Sequence, residues 1–170
     1  TQKKLFDDFI VKYPTTKIYY YELHHDNIPR QAWKECYGSE NLPSIKWDEA
    51  NIILTLEADI IGNEGNVVET VRQYASRRNV DDIDKFNRLY AVEASMSMTG
   101  MNADYRFRLT PELQFDFILA LIYEIGKKLK INNADFNLPT VSKSLKSLAQ
   151  ENGLDNRKLN YLVNDLVANK

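Results

Sequence analysis

The 170 residues are 44% hydrophobic and 27% charged, which supplies one compact domain with a sizeable core and leaves too little chain for a second independent one. A formal charge of -2 argues against nucleic acid as a partner, since phosphate neutralisation needs a concentrated basic patch. The single cysteine, Cys36, excludes an internal disulfide and any cysteine-based zinc or iron-sulfur site, and no apolar run reaches the ~18 residues that span a bilayer.

Leu5, Phe6, Phe9, Ile10 and Tyr13 recur at helical spacing until Pro14 stops the pattern, so the chain opens with an amphipathic helix. Ile18 to Leu23, rich in tyrosine, reads as a first strand. After Asn27 and Pro29 a short helix ends at Gly38, with Cys36 on its apolar face beside Ala32 and Trp33 and therefore expected in the core. Asn51 to Leu56 is nearly continuous in β-branched residues and leucine, as in a central parallel strand covered on both faces.

Asn66, with Glu69 three residues on, has the spacing of a capping box for a helix whose face would be Val67, Val71, Tyr74 and Ala75. Arg77-Arg78 closes it, where cations suit the negative end of the helix dipole. A polar connection, 79–85, leads to a third strand, Leu89 to Glu93. Tyr105 to Leu109 alternates as a short edge strand, and Thr110-Pro111-Glu112 opens a long apolar helix to about Lys128. Two further helices, Val141 to Asn152 and Asn156 to Ala168, are separated at Gly153 and carry leucine stripes.

Two strand-length runs, each ending in an acidic residue and joined through one helix, have the pattern of a parallel β-α-β unit, in which ligands bind at the carboxyl ends of the strands. The loops that start at Glu57 and Glu93 are thus where chemistry is sought. The reading is a three-layer, Rossmann-like α/β domain over 1–170, with its core at about 17–128, a short and mainly parallel sheet, helices on both faces and a helical C-terminal extension over about 139–170. The start at Thr1 without Met and the end inside a helix suggest a domain excised from a larger chain.

The block from Lys46 to Leu109 resembles the nucleotide-binding α/β domain of molybdopterin oxidoreductases. The matching stretches are Ala50-Asn51-Ile52-Ile53-Leu54, then Leu89 to Ser95, then Ala103 to Pro111. Glu57-Ala58-Asp59 stands where many members of that family have a Gly-x-Asn turn, and Glu93-Ala94-Ser95 where they have Asp-Pro-Arg. A carboxylate in place of a close-approach glycine and a small side chain in place of a phosphate-binding arginine leave negative charge where a dinucleotide pyrophosphate would sit.

The wording Leu56-Glu57-Ala58-Asp59, Asn87 to Glu93 and Ser97 to Asp104 is similar to one branch. That branch is the molybdopterin-oxidoreductase-like half of the large iron-sulfur subunit of bacterial alternative complex III, a respiratory quinol oxidoreductase. The resemblance implies a scaffold that has lost its molybdenum cofactor. The parent would carry iron-sulfur clusters in a separate region, have the other subunits of a membrane-bound respiratory complex as partners, and be located on the periplasmic face of the inner membrane. The alternative it leaves open is a working binding domain for molybdopterin guanine dinucleotide, with Glu93 at polar groups of the nucleotide, Asn63, Gly65 and Asn66 approaching its phosphates, and Glu57, Asp59 and Ser95 as further positions of the same site.

Other candidates point to plainer roles. His24-His25-Asp26 lacks a third metal ligand, and adjacent strand histidines face opposite ways. Met96, Met98 and Met101 contain the donors of a thioether copper site, against the expectation of a loop packed on the core. Glu57, Asp59 and Glu93 would also suit acid-base chemistry or a hard cation, and their mutual repulsion in a partly desolvated site is expected to raise at least one pKa. A generic nucleotide-binding or hydrolytic domain is the weakest reading, because no Walker A, Gly-x-Gly-x-x-Gly or Gly-x-Ser-x-Gly sequence is present. No catalytic residue and no metal ligand is assigned.

Overall fold

The computed structural model describes residues 2–19, 21, 28–39, 41–131 and 141–169. The chain divides into two units, Thr1–Ser44 and Ile45–Lys170. The first contains helix α1 (Gln2–Lys12), ending two residues before Pro14, and helix α2 (Ile28–Tyr37), ending at Gly38 with φ +71°. Neither helix contains a buried residue. Cys36 is accordingly exposed, which corrects the expectation of a core cysteine. The helical spacing around it is real, but α2 has no buried face. Ile18, Tyr19 and Tyr21 lie in irregular backbone rather than in the expected strand, and the remainder of that strand, with His24-His25-Asp26, lies outside the described residues.

The second unit is the α/β domain. Strand β1 (Ile52–Leu56), helix α3 (Val67–Ser76), strand β2 (Arg88–Glu93), the short helix α4 (Met98–Asn102) and strand β3 (Tyr105–Arg108) form two successive crossovers. The resulting sheet is wholly parallel, in the order β1-β2-β3. Ile52 stands opposite Arg88, Leu56 opposite Val92, and Glu93 opposite Arg108. Helices α5 (Pro111–Lys128), α6 (Leu145–Glu151) and α7 (Asn156–Ala168) follow.

Period-two alternation divides the strand side chains between two unlike layers. Tyr90, Val92 and Phe107 point to one face, where they meet Phe117, Ala120 and Leu121 of α5, Leu145, Leu148 and Ala149 of α6, and Leu159, Leu162 and Val163 of α7. The tail helices are therefore part of the main core rather than an appendage. A further clasp fixes α7: Asp165 Oδ2 accepts from Tyr90 Oη and Arg88 Nη1, both at 2.6 Å. On the other face, Ile53 and Leu89 pack with Ile60 and Tyr74 in a much smaller apolar cluster.

Asn66 caps α3 as its spacing predicts, accepting from the Glu69 amide, but the buried residues of the helix are Thr70 and Tyr74, while Val71 and Ala75 face solvent. The adjoining arginines act as staples. Arg78 pairs with Asp104 at 2.7 Å and lies over the rings of Tyr74 and Phe86, and Arg77 donates to the Lys85 carbonyl at 2.7 Å, tying down the 79–85 connection. Helix α4 falls in what reads as a loop; at five residues it is too short to display a period, and Ser97, whose hydroxyl accepts from the Gly100 amide at 3.0 Å, is its cap. Among the described residues no helix is long and apolar enough to cross a membrane.

Candidate functional site

Glu57, Asp59 and Glu93 all sit at the carboxyl ends of the strands, and each grips a different point of the segment from Ala94 to Gly100. Glu57 follows β1 in the left-handed region, φ +49°, at the position where the resemblance places a glycine. Its Oε1 accepts from the Ala94 amide at 2.6 Å and from Gln114 Nε2 at 2.8 Å. Asp59 Oδ1 accepts from the Thr99 amide at 2.9 Å and the Thr99 hydroxyl at 2.8 Å. Glu93, whose side chain is only 5% exposed, takes Arg106 Nε at 2.5 Å and the Ser97 hydroxyl at 2.6 Å.

These partners reverse the expected electrostatics. Burial pushes the Glu93 carboxyl up, but the Arg106 guanidinium and the hydroxyl and amide of Ser97 outweigh it, so Glu93 lies below the usual carboxylate range. Asp59 behaves alike: desolvation raises it, and the donors from Thr99 and Gly62 bring it lower overall. Adjacent strands do bring the carboxylates to one end of the sheet. Like-charge repulsion does not govern Asp59 and Glu93, because each has its own set of donors.

The close fit leaves no slack around Glu93. A Cβ at Gly100 would fall 1.7 Å from Glu93 Oε1, so glycine is required where α4 crosses the buried carboxylate. Asp59 imposes the same restriction on Gly62, with 2.2 Å to Asp59 Oδ2.

The loop expected to approach phosphates is closed on itself. The amides of Gly62, Asn63 and Glu64 donate to the Asp59 carbonyl, and the Asp59 amide donates to Glu64 Oε1 at 2.8 Å. Gly65 is left-handed at φ +66°, and Asn66 is engaged as the α3 cap. A phosphate cradle consists of successive amides aimed outward, and here those donors are turned inward.

Ser95 lines a cleft. This opening of about 740 Å³ lies beyond the end of β3, between Ala94, Ser95, Arg106, Arg108 and Thr110 on one side and the α6–α7 turn, Asn152 to Asp155 with Lys158, on the other. Arg108 and Lys158 make its lining net positive although Asp155 and the Glu93-paired Arg106 are close by. No family model matches this chain, and no curated protein matches it.

A larger cleft of about 860 Å³ lies at the opposite, amino-terminal ends of the strands, lined by Arg88, Asp104 and Asp165 among others. Of its charged groups Arg88 pairs with Asp165 and Asp104 with Arg78, and parallel sheets do not present ligands at that end, so the carboxyl-end cleft is the better candidate. Sequence reasoning missed Arg106, Ser97, Thr99 and Gln114. Only Arg106 left a signal, as a cation at an inward position of a strand beside one that ends in glutamate.

Proposed function

We propose that this chain is a non-catalytic scaffold and interaction domain, similar to the molybdopterin-oxidoreductase-like half of an iron-sulfur subunit, within a respiratory quinol oxidoreductase of the alternative complex III kind. In this reading the domain itself binds no molybdopterin and no iron. The iron-sulfur clusters belong to the parent, on the periplasmic face of the bacterial inner membrane, and the partners are the rest of that parent and the other subunits. The observation that carries the reading is the engagement of Glu57, Asp59 and Glu93. The three carboxylates at the strand ends are consumed in holding the 94–100 segment, in positions that favour no pyrophosphate.

The test is the metal and pterin content of the parent subunit purified from its native host. Iron without molybdenum, tungsten or oxidised-pterin fluorescence is the expected result, and a molybdenum-to-protein ratio near one overturns the reading. The alternative, a working molybdopterin guanine dinucleotide domain, is favoured by the net positive cleft at Ser95, Arg108 and Lys158. It requires saturable binding of guanosine diphosphate by this chain, weakened in Arg108→Ala. Absence of such binding removes it.

A further inference from the structure

The three methionines of the chain, Met96, Met98 and Met101, fall within six residues, and all three are exposed: 64%, 51% and 65% respectively. Methionine is ordinarily core filler, and the sequence pattern predicts a loop packed inward; the structure corrects that expectation. Burial explains none of these side chains, so a reason for three neighbouring thioethers has to be sought at the surface.

The geometry of α4 supplies one. Ser97 is its N-cap, so Met98 is the first helical residue, Met101 the fourth, and Met96 the residue just before the cap. Side chains immediately before a cap and at the fourth helical position are set against each other in such starts. Residues three apart on a helix, here Met98 and Met101, are neighbours with about 5–6 Å between Cβ atoms. On this spacing Met101 is a near neighbour of Met98 and within reach of Met96, and three exposed, flexible arms on one short turn can close around a single cation.

We propose that Met96, Met98 and Met101 form a surface site for copper(I). Three thioethers are a soft, neutral donor set, which selects copper(I) over the hard cations that oxygen ligands would take. The backbone amides at the start of α4 are not needed as ligands, being occupied by Ser97 and Asp59. The Asp59 carboxylate beneath that turn offsets the partial positive charge of the helix start, so that charge does not oppose a bound cation. Binding exchanges no electron and releases no proton, since a thioether carries none. The site does not depend on the function proposed above.

The test titrates the whole chain, carrying Cys36→Ser to remove the exposed thiol, with silver(I), a redox-inert stand-in for copper(I). At pH 5 histidine is largely protonated and its competition is suppressed. The readout is the methionine ε-methyl region of a carbon-proton correlation spectrum, where three signals account for every methionine. The expected result is that all three shift together and saturate at one silver per chain, with affinity reduced at least about tenfold in Met98→Leu. A signal that stays in place, separate midpoints, or unchanged affinity in Met98→Leu overturns the three-thioether site. Conservative replacement at a half-exposed position leaves the fold intact, which the two remaining methyl shifts verify.

Discussion

The two faces of the sheet are held by different physics. Toward α5, α6 and α7 the strands bury a continuous apolar layer, whereas toward α3 and α4 four of the described residues make a small buried apolar cluster and carboxylate hydrogen bonds anchor the rest. Helix α4 is five residues long and cannot bury an apolar stripe worth the entropy of ordering the 94–100 segment. Buried and partly buried acids with charge-assisted donors take that role. Residues that look like an active site in the sequence can therefore be what a thin layer uses in place of apolar area.

The comparison breaks most severely on the apolar side. Phe117→Ala, at a side chain with no exposed surface, is expected to cost about 3–5 kcal/mol in denaturant unfolding. A loss under about 1 kcal/mol would show that this layer is not the main source of stability. On the polar side, Glu93→Ala strips Arg106 and Ser97 of their acceptor and leaves a partly buried guanidinium unpaired, costing about 2–4 kcal/mol. Glu93→Gln, which keeps an acceptor oxygen, is expected to lose clearly less in the same melts.

Asp59→Ala removes the acceptor of the Thr99 amide and hydroxyl, and its expected cost is about 1–2 kcal/mol, with faster exchange of the Thr99 amide. The smallest effect is at Glu57. Glu57→Gly relieves a left-handed non-glycine residue but gives up the bonds from Ala94 and the exposed Gln114, and these offset to within about 1 kcal/mol. A large change of either sign would mean that one of the two effects has been misjudged.

Acid sharpens the contrast without mutation. Asp59, Glu93 and Asp104 all have folded pKa values below the ordinary ones: burial opposes this in each, but the donors prevail, those of Asp104 being Arg78 and the Leu89 amide. Depressed folded values mean stability that is fully present above the ordinary carboxylate range, about pH 4, and lost as pH falls through the folded values. The denaturation midpoint should hold down to about pH 5 and decline below about pH 4, with Glu93→Gln flattening the decline.

Much of this architecture was legible beforehand. The strand runs at 52–56 and 89–93, the Asn66 cap and the Thr110-Pro111 helix start all depend on local chemistry, and all appear within a residue or two of their expected places. Rotation of α3 about its axis was not legible, because Thr70 is buried through the neighbours it meets rather than through its own hydropathy. Nor was the role of the acids. That depends on Arg106, Ser97 and Thr99 arriving from elements further along the chain, and on a five-residue helix with no readable period. The cleft at Ser95 was hidden for a related reason: half of its wall is the α6–α7 turn, far away in sequence.

The most direct test of the structural role of these acids is a carboxyl-carbon NMR titration of Asp59 and Glu93 in the intact chain. Both are expected to titrate below ordinary aspartate and glutamate, Glu93 moving back toward the ordinary value when Arg106 is replaced by methionine. A raised pKa at either residue would mean that the carboxylates form an unsatisfied, mutually repelling cluster poised for proton transfer or cation binding, and it would contradict the account.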